Sequence, residues 1–260
     1  VTASKWAEFP VLAFDIESTG VDTASDRIVT CALVEVPATG RPITSHFVVD
    51  PGVEIPAEAA AVHGYTRDRA AAEATHSVEQ MLFEVTGRIA LWLGHGKPLV
   101  TFNAAFDLSM LEAENARHGI EGLTSRLGLG KVQPVIDPMV IANYVEPYRK
   151  KVCTCRCGAT DKTLTGWCLH YRVPLVGAHG AAGDALAAAR LWRRIMTTRP
   201  WKFPGMTLPA LHQSQVGWKK AQADQLRDWW RKQGDDRWRE VDGSWPMRRT
   251  PVPAGVGVSS

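Results

Sequence analysis

The chain has 260 residues, of which 45% are hydrophobic and 22% charged, enough apolar material for a substantial core in one domain plus an extension. No apolar run reaches the roughly 18 residues that a membrane span requires, and Val1 to Phe9 lacks the basic-then-apolar layout of a secretory signal, so no membrane partner is expected. Five cysteines, three of them crowded at Cys153, Cys155 and Cys157, do not suit a disulfide scaffold and point to a cytoplasmic protein.

The first predicted element is Pro10 to Ile16 (PVLAFDI), a short apolar run that reads as a buried strand ending in a carboxylate. Arg27 to Val36 and Ile43 to Asp50 are β-branched and separated by a Pro/Gly turn, so three strands in succession predict an antiparallel meander. Val78, Met81, Leu82, Val85, Ile89, Leu91 and Leu93 recur near helical spacing behind Ser77, a good N-cap. Pro98 to Asn103 reads as another buried strand, Ala105 to His118 as a helix stopped by Gly119, and Pro134 to Asp137 as a short strand leading into a helix from Pro138. Lys162 to Tyr171 and Ala182 to Met196 complete a helical second half, and the order argues for an α/β layer with a mixed sheet. Pro200, Pro204 and Pro209 then interrupt the pattern. The expected division is an α/β domain over 1–198, a basic Trp-rich helical extension over 199–250 with its helix at Leu211 to Lys232, and a disordered tail over 251–260.

Three short constellations carry carboxylates. Asp15 and Glu17 lie two apart at the end of a strand, so both side chains face one point, and their charges repel unless a cation sits between them. Asp107 follows Asn103 and Phe106 in a first helical turn, where it fits either a partner for the helix dipole or a third carboxylate at the sheet edge. Asp184 opens a helix rich in Ala and Gly that can approach a sheet closely, and an Asp there is costly to bury without a partner. His179 precedes it on a Gly-flanked loop. Taken singly, such a histidine is most often structural or solvent-facing.

In order, Asp15-Ile-Glu17 followed by Thr19-Gly20, then Asn103-Ala-Ala-Phe106-Asp107, then His179-x4-Asp184 resembles the DnaQ-like, DEDD-type exonucleases of the histidine-bearing subclass (DEDDh). Ala61-Val62-His63-Gly64-Tyr65-Thr66 looks like a further element of that family, and Lys162-Thr-Leu164-x4-Leu169 like its segment before the last motif. The likeness spans residues 9–196. Ile16 stands where Thr is usual and Phe102 where His is common, and neither is among the carboxylates. The resemblance implies a ribonuclease H-like fold: a mixed five-stranded sheet flanked by helices, followed here by the C-terminal helical extension. It implies 3′–5′ exonuclease activity with two Mg²⁺ or Mn²⁺ ions held by Asp15, Glu17, Asp107 and Asp184. Asp15 would bridge them, Glu17 and Asp184 would complete the nucleophile-side ion, and Asp107 would support the second. His179 would be the general base on the attacking water. Ser18, Thr19 and Gly20, with His63, Asn103 and Phe106, would hold the terminal nucleotide. The substrate would be the 3′ end of a nucleic acid, single-stranded DNA in a proofreading or repair role. RNA-end trimming is the alternative, a catalytically idle binding module a third reading, and a polymerase or other replication protein a possible partner on a separate chain.

Two features fall outside the resemblance. Cys153 to Gly158 (CTCRCG) looks inserted. Its three cysteines admit a structural zinc, though their spacing lacks the two-residue gaps of common zinc sites, or else a basic loop with free thiols. Charge is also uneven: residues 1–189 hold 16 Lys and Arg against 21 Asp and Glu, residues 190–260 hold 14 against 6, and the latter also hold seven of the ten Trp. That mixture suits either a single-strand platform of stacking rings and phosphate-tracking cations, or an apolar stripe (Leu211, Trp218, Leu226, Trp229, Trp230) that docks the helix, with docking the favoured reading for the Trp residues.

Overall fold

In a computed structural model that describes Trp6 and residues 8–127, 132–149, 162–177 and 179–248, the first apolar run forms the central strand β1 (Val11–Ser18). It pairs antiparallel with β2 (Ile28–Val36), which pairs antiparallel with β3 (Ile43–Val48), so the meander forms. On its other side β1 pairs parallel with β4 (Leu99–Val100), and β4 with β5 (Val135–Ile136). The sheet order is β3-β2-β1-β4-β5, a five-stranded mixed sheet as expected.

Alternation along β1 divides the core. Leu12, Phe14 and Ile16 pack on one face with Met81, Leu82, Val85 and Ile89 of helix α3 (Val78–Gly94) and Leu108 and Leu111 of α4 (Ala104–Arg117). Val11 and Ala13 pack on the other face with Ala185, Ala188, Trp192 and Ile195 of α8 (Ala181–Thr198). Ser77 caps α3 in a reciprocal capping box with Gln80. Leu91 departs from the expected stripe: it is 65% exposed, because it sits two residues past Ile89 and so on the far side of the helix. The run Pro98 to Asn103 yields only two strand residues, since Asn103 turns to φ 69° and starts α4. Asp137 caps α6 (Pro138–Val145), with Pro138 in its first turn. Two short helices not expected from the sequence, α1 (Ala57–His63) and α2 (Arg67–Glu73), cross the 50–75 connection, Gly64 at φ 80° ending the first and Thr66 capping the second. α5 (Leu123–Arg126) and α7 (Leu164–Tyr171) complete the body.

After a 3₁₀ turn at Pro200–Lys202, α9 (Leu208–Lys232) lies along β5. A strand at a sheet border leaves backbone groups unpaired. Here side chains of α9 take the place of a sixth strand: His212 Nδ1 accepts from the Val135 N–H at 3.1 Å, Gln215 Oε1 accepts from the Asp137 N–H at 2.7 Å, and Gln215 Nε2 donates to the Val135 carbonyl at 3.0 Å. The expected apolar stripe docks in its first half only. Leu211 is buried and Trp218 stacks on Tyr144 with ring centroids 3.9 Å apart, but Leu226 and Trp229 are 44% and 49% exposed where α9 runs beyond the sheet. Arg237 lies over the Trp230 ring, and Arg231 and Arg239 over Trp238, while each of these arginines also pairs with an Asp. The 3₁₀ turn Asp236–Arg239 leads back along α9, and Trp245 is buried against His212. Cys153, Cys155, Cys157 and residues 251–260 lie outside the described residues. No described helix is long and apolar enough to cross a membrane.

Candidate active site

The face of β1 that carries Val11 and Ala13 continues with Asp15 and Glu17, so the alternation that builds the core also delivers two carboxylates to the start of α8. The β1–β2 register shifts at Glu17/Ser18, as a bulge would, where the strand leaves the sheet for the cleft. Asp184 comes from the first turn of α8, whose small residues let it sit against the sheet. Gly183 in particular touches backbone: a Cβ there would lie 2.5 Å from the Val176 carbonyl oxygen and 2.6 Å from that of Gly177. The outcome is a cluster in which one carboxylate oxygen from each of Asp15, Glu17 and Asp184 lies within 4.8 Å of the others.

Asp107 sits apart from that trio, buried in the first turn of α4 and accepting a hydrogen bond from Thr101 Oγ1. It is near enough that its charge is felt at Asp15. Burial first, then Asp107, Glu17 and Asp184, push the Asp15 carboxyl well above the carboxylate range. Burial and Asp184 push Glu17 up to about 7. Asp107 is raised by burial, with the Thr101 hydrogen bond acting the other way. Asp184 is raised by burial, against which the His179 ring and backbone N–H act. Its Oδ1 is buried with no hydrogen-bond partner. An all-oxygen donor set, mutually repelling and with one oxygen orphaned, fits a hard divalent cation.

His179 is exposed on the loop before α8 in a left-handed conformation, φ 65°. A cleft of about 440 Å³ opens beside Glu17, and Ser18, Thr19, Gly20, His63 and Phe106 line it together with Val21. Its floor is stiffened by Asp26. The Thr19 hydroxyl donates to Asp26 Oδ1 at 2.9 Å, and Gly20 lies so close that a Cβ would be 2.5 Å from Asp26 Oδ2. His63 ends α1 and is buried, which holds its imidazole below the ordinary value. Asn103 does not line this cleft. Its backbone N–H instead donates to Asp137 Oδ1 at 3.1 Å.

The sequence matches the exonuclease family RNase_T over residues 12–192. The chain belongs to that family. Among its relatives, a DNA polymerase III subunit epsilon-like protein of Rhodobacter capsulatus is 30% identical over 193 residues, which cover 71% of this chain and 23% of that protein. A PolC-type DNA polymerase III of Clostridium perfringens is 27% identical over 183 residues, 69% of this chain and 11% of that one. The chain therefore spans under a quarter of either relative's length. Escherichia coli exonuclease I in complex with a dT13 oligonucleotide superposes with a TM-score of 0.59 at 17% identity, over 75% of this chain and 42% of that one. Exonuclease X in complex with 5′ overhanging duplex DNA gives 0.53 at 18% identity, over 79% and 99%. At these identities the likeness is one of fold, the ribonuclease H-like sheet.

Two residues of the site's neighbourhood carry no signal in the sequence that marks them as part of it. Asp137 is buried and accepts from the N–H groups of Asn103, Ala104 and Met139 and, at 3.4 Å, from Trp245 Nε1, which fixes the start of α4 and hence Asp107. The run Pro134 to Asp137 showed a strand leading into a helix from Pro138, but not the distant donors that Asp137 meets. Arg248 arrives from more than 100 residues beyond the cleft in sequence and lies over Phe106. No local pattern marks it.

Proposed function

We propose that the chain is a metal-dependent 3′–5′ exonuclease acting on single-stranded DNA ends, with a proofreading or repair role. The observation that carries this reading is the convergence of Asp15, Glu17 and Asp184 from two separate elements within 4.8 Å of one another, beside a cleft sized for a nucleotide, in a chain of the exonuclease family. Asp15, Glu17 and Asp184 would hold Mg²⁺ or Mn²⁺, two ions per site, with Asp107 in support. When bound, the ions supply charge compensation for the phosphodiester and for the leaving alkoxide, and lower the pKa of water.

The chain's own groups do the rest. His179, on its exposed loop, takes the proton from the attacking water, a role in which a positioned imidazole is worth about 10²–10⁴ in rate. The cleft over Ser18, Thr19 and Gly20, backed by Phe106 and His63, seats the terminal nucleotide and holds its phosphate against the carboxylates. The names of the polymerase III relatives support a polymerase or other replication protein as a partner.

End-labelled single-stranded DNA and RNA oligonucleotides incubated with Mg²⁺ and with chelator test this. A 5′-labelled DNA strand shortening one nucleotide at a time, only with metal, is the expected outcome. A 3′-labelled strand would release its label at once. Faster loss of RNA would move the substrate class, and endonucleolytic products or metal independence would overturn the reading.

A further inference from the structure

Among the described residues, the cleft lining contains no Lys or Arg and includes Glu17 and Glu58, yet the proposed substrate is a polyanion. A cation that touches this lining is supplied by the last described segment of the chain. We infer that residues 241–248 form a strap whose purpose is to place Arg248 at the mouth of the cleft, as the residue that binds a phosphate of the incoming strand next to the scissile one. The inference rests on the nuclease reading above.

The strap is anchored at three points. Arg227 donates from Nε and Nη2 to the Val241 carbonyl at 3.1 and 2.6 Å. Gly243 lies so close on α9 that a Cβ would stand 3.0 Å from Ala223 Cβ. Trp245 is 7% exposed, packed on His212, with its indole N–H directed at Asp137. From there the Arg248 N–H donates to Ser109 Oγ at 2.8 Å, which pins the backbone to α4. The guanidinium then reaches the cleft rim: Nη1 donates to the Val21 carbonyl at 3.2 Å, and its carbon lies 5.4 Å from the Phe106 ring centroid. Val21 and Phe106 both line the cleft. A guanidinium bound by one N–H to a carbonyl retains donors for a phosphate, and the ring beneath it fixes its plane. Its field also reaches Asp107 and Asp22. The arginine is thus held in place before substrate arrives, which lowers the ordering cost of binding.

The test compares wild type with Arg248→Gln and Arg248→Lys on 5′-labelled dT10 in Mg²⁺. For Arg248→Gln, KM is expected to rise about tenfold with kcat changed by less than about threefold, the signature of lost binding rather than lost chemistry. The slope of log K against log salt, measured by equilibrium binding in Ca²⁺, is expected to flatten by about 0.7, one phosphate contact on a single strand. Arg248→Lys should recover the slope and part of KM. Unchanged KM and slope in Arg248→Gln would overturn the inference, as would equal losses in kcat and kcat/KM with a lowered melting temperature, which mean a structural role. If wild type itself degrades no oligonucleotide, the nuclease reading fails first, whereas an active wild type with an indifferent Arg248→Gln fails the strap alone.

Discussion

Three carboxylates within 4.8 Å of one another store electrostatic energy that the rest of the fold must offset. Glu17 makes the cost measurable. Its carboxyl is pushed from 4.5 up to about 7, so it contributes stability that is full below the unfolded value and lost as pH rises through 7. Metal-free protein is therefore expected to be more stable near pH 5.5 than near pH 8.5, by about 2 kcal/mol from Glu17 alone. Thermal melts with chelator across that range check the sign, and Mg²⁺ should restore the alkaline loss. Asp184→Asn removes one member of the repelling set. It is expected to lower nuclease activity by two or more orders of magnitude while leaving the metal-free melting temperature at pH 8.5 equal or higher, and a variant with near-normal turnover would dismiss the carboxylate from the site. His179→Ala should cost about 10²–10⁴ in rate with the melting temperature unchanged, as read by single-turnover kinetics and thermal melts.

At the scale of elements, what was legible follows the range of the interaction. The β1 run, the N-cap at Ser77 and the helix start at Pro138 are specified by residues next to one another, and all three form. Asp15 and Glu17 were legible for the same reason, through the period of two. What escaped depends on partners far along the chain: Asp137 is met by Trp245, β5 by Gln215, Phe106 by Arg248. The docking stripe of α9 was half right, because helical spacing shows which residues share a face but not where the sheet beneath them ends. Gly183 joins both ranges. Its substitution by Ala would force a Cβ onto the Val176 and Gly177 carbonyls, and only by shifting that loop, with His179 on it, can the chain relax. Gly183→Ala is expected to lower kcat at least tenfold and the stability by about 1–3 kcal/mol, the usual cost of an overpacked contact, as read by steady-state kinetics and denaturant melts.

For the whole molecule, the segment from 206 to 248 is structural before it is anything else. A chain ended at residue 205 loses His212 and Gln215 from β5, Trp218 from Tyr144, and Trp245 from the core. The apolar surface that Leu211, Trp218 and Trp245 cover would then face water, at about 1.5–3 kcal/mol for each large buried side chain lost. Such a truncation is expected to aggregate or to melt far below the full chain by circular dichroism, so it cannot separate a nucleic-acid role of the tail from a folding role. Point changes can.

The same amide of Gln215 also closes a border of the sheet to outside strands. With the Val135 carbonyl and the Asp137 N–H already engaged by a side chain, the β5 border offers no template for another molecule's backbone. At the opposite border, Thr75 bonds both the N–H and the carbonyl of Val48, while Ile43 stands 63% exposed at the far end of β3. Among the described residues, the backbone left open at the sheet's borders is therefore concentrated in the first residues of β3.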